Sequence, residues 1–198
     1  MKTSAISPNA VTILRVVLTF LWVALALWAT PRPFATFSLA NFAIFVFYIV
    51  LALSDKLDGY LARKYNRITD VGKFLDPLAD KILVVAALLV IVSFQYSTLW
   101  PLLIICAREF LVSGLRMVVA AKGKVVAASN LGKIKTMITM LAIALYFLAF
   151  CGLGVLVSSG CIIAAEIVLW IAVLITIVSG IDYAYKCMPY LSGGPGRG

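Results

Sequence analysis

The sequence predicts an all-α integral membrane protein with six transmembrane helices. Of its 198 residues 64% are hydrophobic, and the mean hydropathy is +1.09. Soluble domains are about 45–50% apolar. The apolar residues also gather into six runs, each near the ~20 residues that a helix needs to cross a bilayer. Short polar breaks separate the runs, and most of the charge lies in those breaks or at the ends of the runs.

Ser7-Pro8-Asn9 is a helix-start signal, with Pro8 suited to the first turn. The first span then runs from about Ala10 to Ala29. Asn9, Thr12 and Arg15, at steps of three, line one of its faces. This run lacks a small-residue cleavage site close behind it, so it reads as a true span and not a cleaved signal. Thr30-Pro31-Arg32-Pro33 ends it.

The second span begins near Phe37 and is uncharged to Ser54, and its helical pattern continues through Arg63. The third covers roughly Val71 to Phe94, with Thr69 as its N-cap. Pro77 leaves two readings open: a kink within this helix, or a helix that starts at Asp76 with Pro77 in its first turn. Gln95 to Thr98 form a turn, and the fourth span follows from Leu99 to Ala121. Lys122-Gly123-Lys124 ends that helix, and the fifth runs from about Leu131 to Phe150. A turn containing Gly152, Gly154 and Ser158 to Gly160 leads to the sixth, about Cys161 to Tyr185. Residues 1–190 are expected to form one domain without internal repeats, and the Gly/Pro/Ser-rich end of the chain to form a flexible tail over 191–198.

The turns at 30–37, 95–98 and 151–160 hold one cation, Arg32, while nearly all the others lie at the opposite ends of the spans. By the positive-inside rule both termini and the loop after the second span face the cytoplasm. The net charge of +9 therefore fits basic loops at an anionic lipid surface. It forms no groove-facing patch, so nucleic acid is excluded as a partner. The chain has no histidine, which removes a histidine base, a Ser-His triad and histidine-ligated zinc together. Cys106, Cys151, Cys161 and Cys187 are scattered and read as apolar fillers, although Cys151 and Cys161 share one loop region and are candidates to pair.

Five of the eight acidic residues sit between Asp55 and Asp80. Solvated surface ion pairs with Lys56, Arg63, Lys64, Arg67 and Lys73 are the simplest explanation, and such pairs contribute roughly 0–1 kcal/mol. The spacing argues for more. Asp55 and Asp58 are three apart at the end of one helix, and Asp76 and Asp80 are four apart at the start of the next. A short reversal brings the two faces together, beside Leu57, Leu75 and Leu78. Carboxylates at a membrane boundary mark function, and four that converge need cations. Hard divalent ions with oxygen ligands suit them, magnesium first. Two such ions ~3.5–4 Å apart clamp a phosphoryl or pyrophosphoryl group. Gly59 and Gly72 let a nucleotide approach the backbone, and Arg63 can fork onto phosphate oxygens.

The residues Asp55, Asp58, Gly59, Ala62, Arg63, Gly72, Asp76 and Asp80 fit the pattern D-x2-D-G-x2-A-R-x8-G-x3-D-x3-D. This resembles the signature of the CDP-alcohol phosphatidyltransferase family, and the likeness extends from Asn9 to about Tyr185. It implies the CDP-alcohol phosphotransferase fold with six transmembrane helices, a homodimer, and displacement of CMP from a CDP-linked lipid by an alcohol. Carried over, Asp55, Asp58 and Asp76 ligate two Mg2+ ions (Mn2+ is the alternative), with Asp58 and Asp76 touching both. Asp80 is ligand and general base, and Gly59, Arg63 and Gly72 meet the CDP group. Asp70 is outside the pattern and reads as a helix-start carboxylate.

The motif fixes the donor, not the acceptor. Arg108 lies about a dozen residues, roughly 18 Å, from the cytoplasmic end of its helix. One reading pairs it with Glu109, or Glu109 with Arg116. The other places Arg108, Arg116, Lys133 and Lys135 around an anionic acceptor. Lys133 and Lys135 are two apart, so one faces the site, and Lys135 is favoured. Ala107 to Arg116 and Ala127 to Thr136, with Asn9, Thr12 and Arg15, are similar to the bacterial phosphatidylglycerophosphate synthases of the family. Thr139 stands where a glutamine is common in that group. The resemblance implies CDP-diacylglycerol as donor, contacted also by Asn9 and Thr12. It implies sn-glycerol 3-phosphate as acceptor, with Thr136 joining the four cations at its phosphate, and a multi-pass place in the bacterial cytoplasmic membrane. The competing readings are a related synthase using inositol phosphate or phosphatidylglycerol, and a divalent-cation transporter built on the same carboxylates. A lipid acceptor does not need four cations, and the chain lacks the internal repeats of many transporters.

Overall fold

A computed structural model describes the backbone at residues 8–29, 36–64, 70–94, 98–124 and 130–191, and side chains at 13–29, 36–54, 81–94, 98–124 and 131–190. Among the described residues there are six helices and no strand: α1 (Pro8–Trp28), α2 (Leu39–Lys64), α3 (Asp70–Ser93), α4 (Leu99–Ala121), α5 (Asn130–Phe150) and α6 (Val155–Leu191). The expected all-α class holds. Two stretches, Leu131–Phe150 of α5 and Val155–Tyr190 of α6, are long and apolar enough to cross a membrane, and shorter apolar stretches occupy Ile13–Trp28, Leu39–Ser54 and Lys81–Ser93. Large apolar side chains are exposed on every helix, among them Phe20, Val50, Leu89, Phe110, Leu141 and Leu174.

Capping explains several boundaries. Ser38 Oγ accepts the N–H of Asn41, which caps the start of α2. At the end of α4 the N–H groups of Gly123 and Lys124 bond to the carbonyls of Ala120 and Val119 at 2.9 and 3.3 Å. Gly123 has φ 72°, and this left-handed Schellman closure is the stop that Lys122-Gly123-Lys124 announces.

Both ends of α6 need correction, and two readings left open by the sequence are settled. α3 begins at Asp70, so Pro77 lies within it, and Asp76 does not start the helix. α6 begins at Val155, so Ser158 to Gly160 are helical and not part of the turn. Gly152 and Gly154, with φ 73° and 97°, complete the reversal by themselves, and the Ser158 N–H already bonds to the Gly154 carbonyl at 2.9 Å. At its other end α6 runs six residues past Tyr185 to Leu191, because Tyr183 and Cys187 pack with Val112 and Val119 of α4. Cys151 and Cys161 do not pair, and all four cysteines are free. Burial, with Cys161 nearby, pushes the Cys151 thiol up to about 11, so it stays protonated at neutral pH. The proposed cap Thr69, the turn residues 30–35 and 95–97, and the tail 192–198 lie outside the described residues.

α1 packs on α2 and α3, α5 on α2 and α6, and α4 on α3 and α6. Trp22 of α1 donates its indole N–H to the Ile44 carbonyl of α2 at 3.0 Å. Its ring meets Tyr48 at 5.7 Å and Phe147 at 5.0 Å. Phe150 continues the cluster to Phe94 of α3, 5.3 Å away. Asn41 Nδ2 donates to the Phe150 carbonyl at 2.7 Å, and the Ser38 N–H to that of Cys151 at 2.9 Å. These bonds join the start of α2 to the end of α5. A Cβ on Gly152 would stand 2.1 Å from the Thr36 carbonyl oxygen, so this approach requires glycine.

Candidate active site

The motif residues fall on two helices in contact. Asp55, Asp58, Gly59 and Arg63 lie in the last ten residues of α2, and Gly72, Asp76 and Asp80 in the first eleven of α3. Asn9 and Thr12 lie in the first turns of α1. The side chains of these residues are outside the described ones, so their ligand geometry rests on sequence spacing alone. Arg15, the third residue of the α1 face, is 4% exposed, and its carbonyl accepts the Thr19 hydroxyl at 2.8 Å.

One residue beyond Asp80 the described side chains begin, and they form an ionic cluster. Glu109 of α4 is its centre. Lys135 of α5 and Arg108 of α4 both meet Glu109 Oε1, the latter at 3.1 Å, and Lys81 of α3 lies 3.5 Å from Oε2. Arg108 also donates through Nη2 to Ser179 Oγ of α6 at 3.1 Å. A Cβ on Gly180 would press on Arg108 Cγ at 3.1 Å, so a residue without one leaves the guanidinium stem its space. One carboxylate thus draws cations from three helices, and Arg108 ties a fourth. Glu109 is the member whose removal is costly, because it alone compensates the three cations.

A small cavity, ≈ 20 Å³, lies against this cluster between α3, α4 and α5. That volume holds about one water. Lys81, Glu109, Lys135, Thr136 and Thr139 make its polar wall, and Val84, Val85 and Ile105 the apolar one. The Thr136 and Thr139 hydroxyls donate to the carbonyls of Gly132 at 3.2 Å and Lys135 at 2.9 Å, which leaves their lone pairs toward other donors.

The candidate acceptor residues therefore separate. Lys135 and Thr136 line the cavity, and Arg108 reaches the same carboxylate. Lys133 is exposed while Lys135 is buried, as their two-residue spacing demands. Arg116 stands apart, exposed, with its Cζ 5.8 Å from the Tyr183 ring centroid on α6. Sequence reasoning assigned no role to Lys81, Ser113, Ser179 or Gly180. The adjacent small residues Ser179 and Gly180 in an otherwise bulky apolar helix were the available signal for Arg108's partner.

The family model for CDP-alcohol phosphatidyltransferase matches residues 5–178. The chain belongs to the CDP-alcohol phosphatidyltransferase family. It is 42% identical over 187 residues to a CDP-diacylglycerol–glycerol-3-phosphate 3-phosphatidyltransferase of Bacillus subtilis, covering 90% of this chain and 93% of that protein. A protein of the same name from Haemophilus influenzae is 41% identical, covering 89% and 90%. A probable phosphatidylglycerophosphate synthase of Mycobacterium tuberculosis is 33% identical, covering 79% and 71%. The matched span reaches from α1 into α6, so in this family member the ionic cavity and the acidic motif belong to one matched unit.

Proposed function

We propose that this family member transfers the phosphatidyl group of CDP-diacylglycerol to sn-glycerol 3-phosphate, giving phosphatidylglycerophosphate and CMP. The observation that carries the reading is the cavity walled by Lys135, Thr136 and Glu109, against α3, the helix that carries Asp76 and Asp80. A small phosphorylated alcohol needs cations beside the motif; serine or a lipid alcohol does not. The names of the relatives support the same donor and acceptor.

In this reading the hydroxyl of glycerol 3-phosphate attacks the phosphatidyl phosphorus. A new P–O bond forms, the bridging P–O bond to CMP breaks, and CMP leaves. Asp80 takes the hydroxyl proton. Asp55, Asp58 and Asp76, with Asp80, would hold two Mg2+ ions, which when bound offset charge on the pyrophosphate. All four donors are hard carboxylate oxygens, which fits magnesium or manganese. Gly59, Gly72, Arg63, Asn9 and Thr12 would receive the CDP group. Lys135, Arg108 and Thr136 would face the acceptor phosphate, and Arg116 and Lys133 its approach. Six membrane-spanning helices, a homodimer and a cytoplasmic active site complete the proposal. The exposed apolar side chains on every helix and the uneven placement of Lys and Arg support the membrane part.

The test is CMP release by the purified protein with CDP-diacylglycerol, magnesium and, in turn, glycerol 3-phosphate, inositol phosphate, serine and phosphatidylglycerol. Release with glycerol 3-phosphate alone is expected. Release only with another acceptor would move the chain to a different branch of the family, and metal transport without CMP release would favour a transporter.

A further inference from the structure

We propose that Lys81 is a specificity-determining residue for the acceptor's phosphate, held in position by Glu109 and Ser113. The inference rests on the acceptor reading above and adds a residue that neither the motif nor the basic runs contain. Lys81 Nζ lies 3.5 Å from Glu109 Oε2 and donates a hydrogen bond to Ser113 Oγ. It therefore faces Lys135 across one carboxylate, and both ammonium groups line the same cavity.

Charge gives the cluster its ligand class. Lys81, Arg108 and Lys135 carry three positive charges and Glu109 one negative, so the described cluster holds 3 − 1 = +2. A phosphate dianion balances that charge; a neutral headgroup or a serine zwitterion does not. Among the described residues these cations share a single carboxylate, so an anion beside them is favoured. Exposure shows which cation is least committed. The Lys81 side chain is 31% exposed, against 13% for Arg108 and 7% for Lys135. The ≈ 20 Å³ cavity is smaller than a phosphate group, so its wall must move to admit one, and Lys81 is the long, flexible, part-exposed side of that wall.

Position supplies the rest. Lys81 follows Asp80 directly, with consecutive Cα atoms ~3.8 Å apart. A glycerol 3-phosphate whose hydroxyl meets Asp80 carries its phosphate only a three-carbon chain away. Successive helical residues face different ways, and Lys81 turns toward α4 and the cavity, where it and Lys135 are the lysines placed to receive that phosphate.

The test uses the full-length purified protein and CMP release, with each substrate varied in turn. Lys81→Gln is expected to raise the KM for glycerol 3-phosphate roughly tenfold or more, with the KM for CDP-diacylglycerol unchanged. Lys81→Arg is expected to recover most of that loss. Inorganic phosphate, added as a competitor of glycerol 3-phosphate, is expected to inhibit Lys81→Gln much less than the unsubstituted protein. Should Lys81→Gln fail to fold, Ser113→Ala removes only the hydroxyl that holds the ammonium and should raise the same KM by less. An unchanged acceptor KM in the folded variant, or a rise confined to CDP-diacylglycerol, overturns the assignment while leaving the acceptor reading intact. An unsubstituted protein that releases no CMP with glycerol 3-phosphate overturns the acceptor reading itself, and the role of Lys81 with it.

Discussion

Around Trp22, Tyr48, Phe147 and Phe150 the interior is closed by aromatic rings whose centroids lie 5.0 to 5.7 Å apart along the chain of contacts. Around Glu109 it is closed by one carboxylate and cations from α3, α4 and α5. The aromatic region is tightly packed: Trp22, Tyr48, Ile91 and Ile143 are fully buried, the indole N–H has a carbonyl partner, and only a cavity of ≈ 10 Å³ is left beside Phe94, Phe147 and Phe150. The ionic region keeps a larger cavity, ≈ 20 Å³, and, among the described residues, an excess of positive charge. Dispersion between fixed rings needs no ligand, whereas an excess of cations in an apolar bundle does. The first region holds the helices together, and the second has the charge to draw an anionic substrate. They share α3 and α5, so the packing of one end fixes the approach of the lysines at the other.

The largest effects are expected where the ionic region adjoins the acidic motif. Chelating divalent metal is expected to reduce CMP release to background, and magnesium or manganese to restore it. Without cations the four carboxylates would repel one another. Asp80→Asn keeps a weak ligand but cannot accept a proton, and a loss of about 10²- to 10⁴-fold in turnover is expected. Binding of CDP-diacylglycerol should survive. Full turnover in excess chelator would remove the metal model, and near-normal turnover of Asp80→Asn would remove it as base.

Next in size is a change in the aromatic region. Phe147→Ala deletes the ring that touches Trp22, Tyr48 and Phe150, at an expected cost of about 3–5 kcal/mol of stability. Thermal unfolding in detergent would show it. The acceptor KM of the folded fraction should not change. A selective rise in that KM, with unchanged stability, would mean that the two regions do not divide the work as described.

How much of this was legible in the sequence differs between the regions. The termini of α4 and α5 follow from hydropathy and from Lys122-Gly123-Lys124, and the family follows from a motif with fixed spacing. The beginning of α6 was misplaced because Ser158 and Gly160 resemble turn residues. Ser158 is buried within the helix, and two left-handed glycines had already turned the chain. The partners of Glu109 were only half legible. Its neighbour Arg108 is adjacent in sequence, but Lys81 and Lys135 are 28 and 26 residues away. Periodicity places a side chain on a face; it does not say which faces of three separate helices meet.

A smaller effect than the loss of Phe147 is expected for Lys135→Ala. Lys135 is 5% exposed and meets the carboxylate that also holds Arg108 and Lys81. Two cations remain to compensate Glu109, so the fold should persist. A hydrogen bond to a charged ligand is worth about 1.5–3 kcal/mol. That corresponds to roughly a ten- to hundredfold fall in kcat/KM for glycerol 3-phosphate. Kinetics with each substrate varied in turn would read it, and a loss confined to CDP-diacylglycerol would assign this lysine to the donor instead.

The smallest effect is expected for Arg116→Ala, and it tests where the ionic region ends. By sequence Arg116 is one of four cations for the acceptor, seven residues from Glu109 on the same helix. In the folded chain its guanidinium lies 5.8 Å from the Tyr183 ring centroid, away from the residues that line the cavity. Exposed cation–π contacts contribute about 0.5–1 kcal/mol, so the stability change should be slight. Its charge still attracts an anion approaching the site, but salt screens exposed charges over ~8–10 Å at ordinary ionic strength. Arg116→Ala should therefore raise the acceptor KM by only a few-fold, less than Lys135→Ala does, and the rise should shrink as salt is added. A loss as large as that of Lys135→Ala, independent of salt, would mean that Arg116 leaves Tyr183 and contacts the phosphate directly when the acceptor binds. The ionic region would then extend to the α4–α6 contact, and the aromatic ring of Tyr183 would be a resting place for a substrate-binding cation.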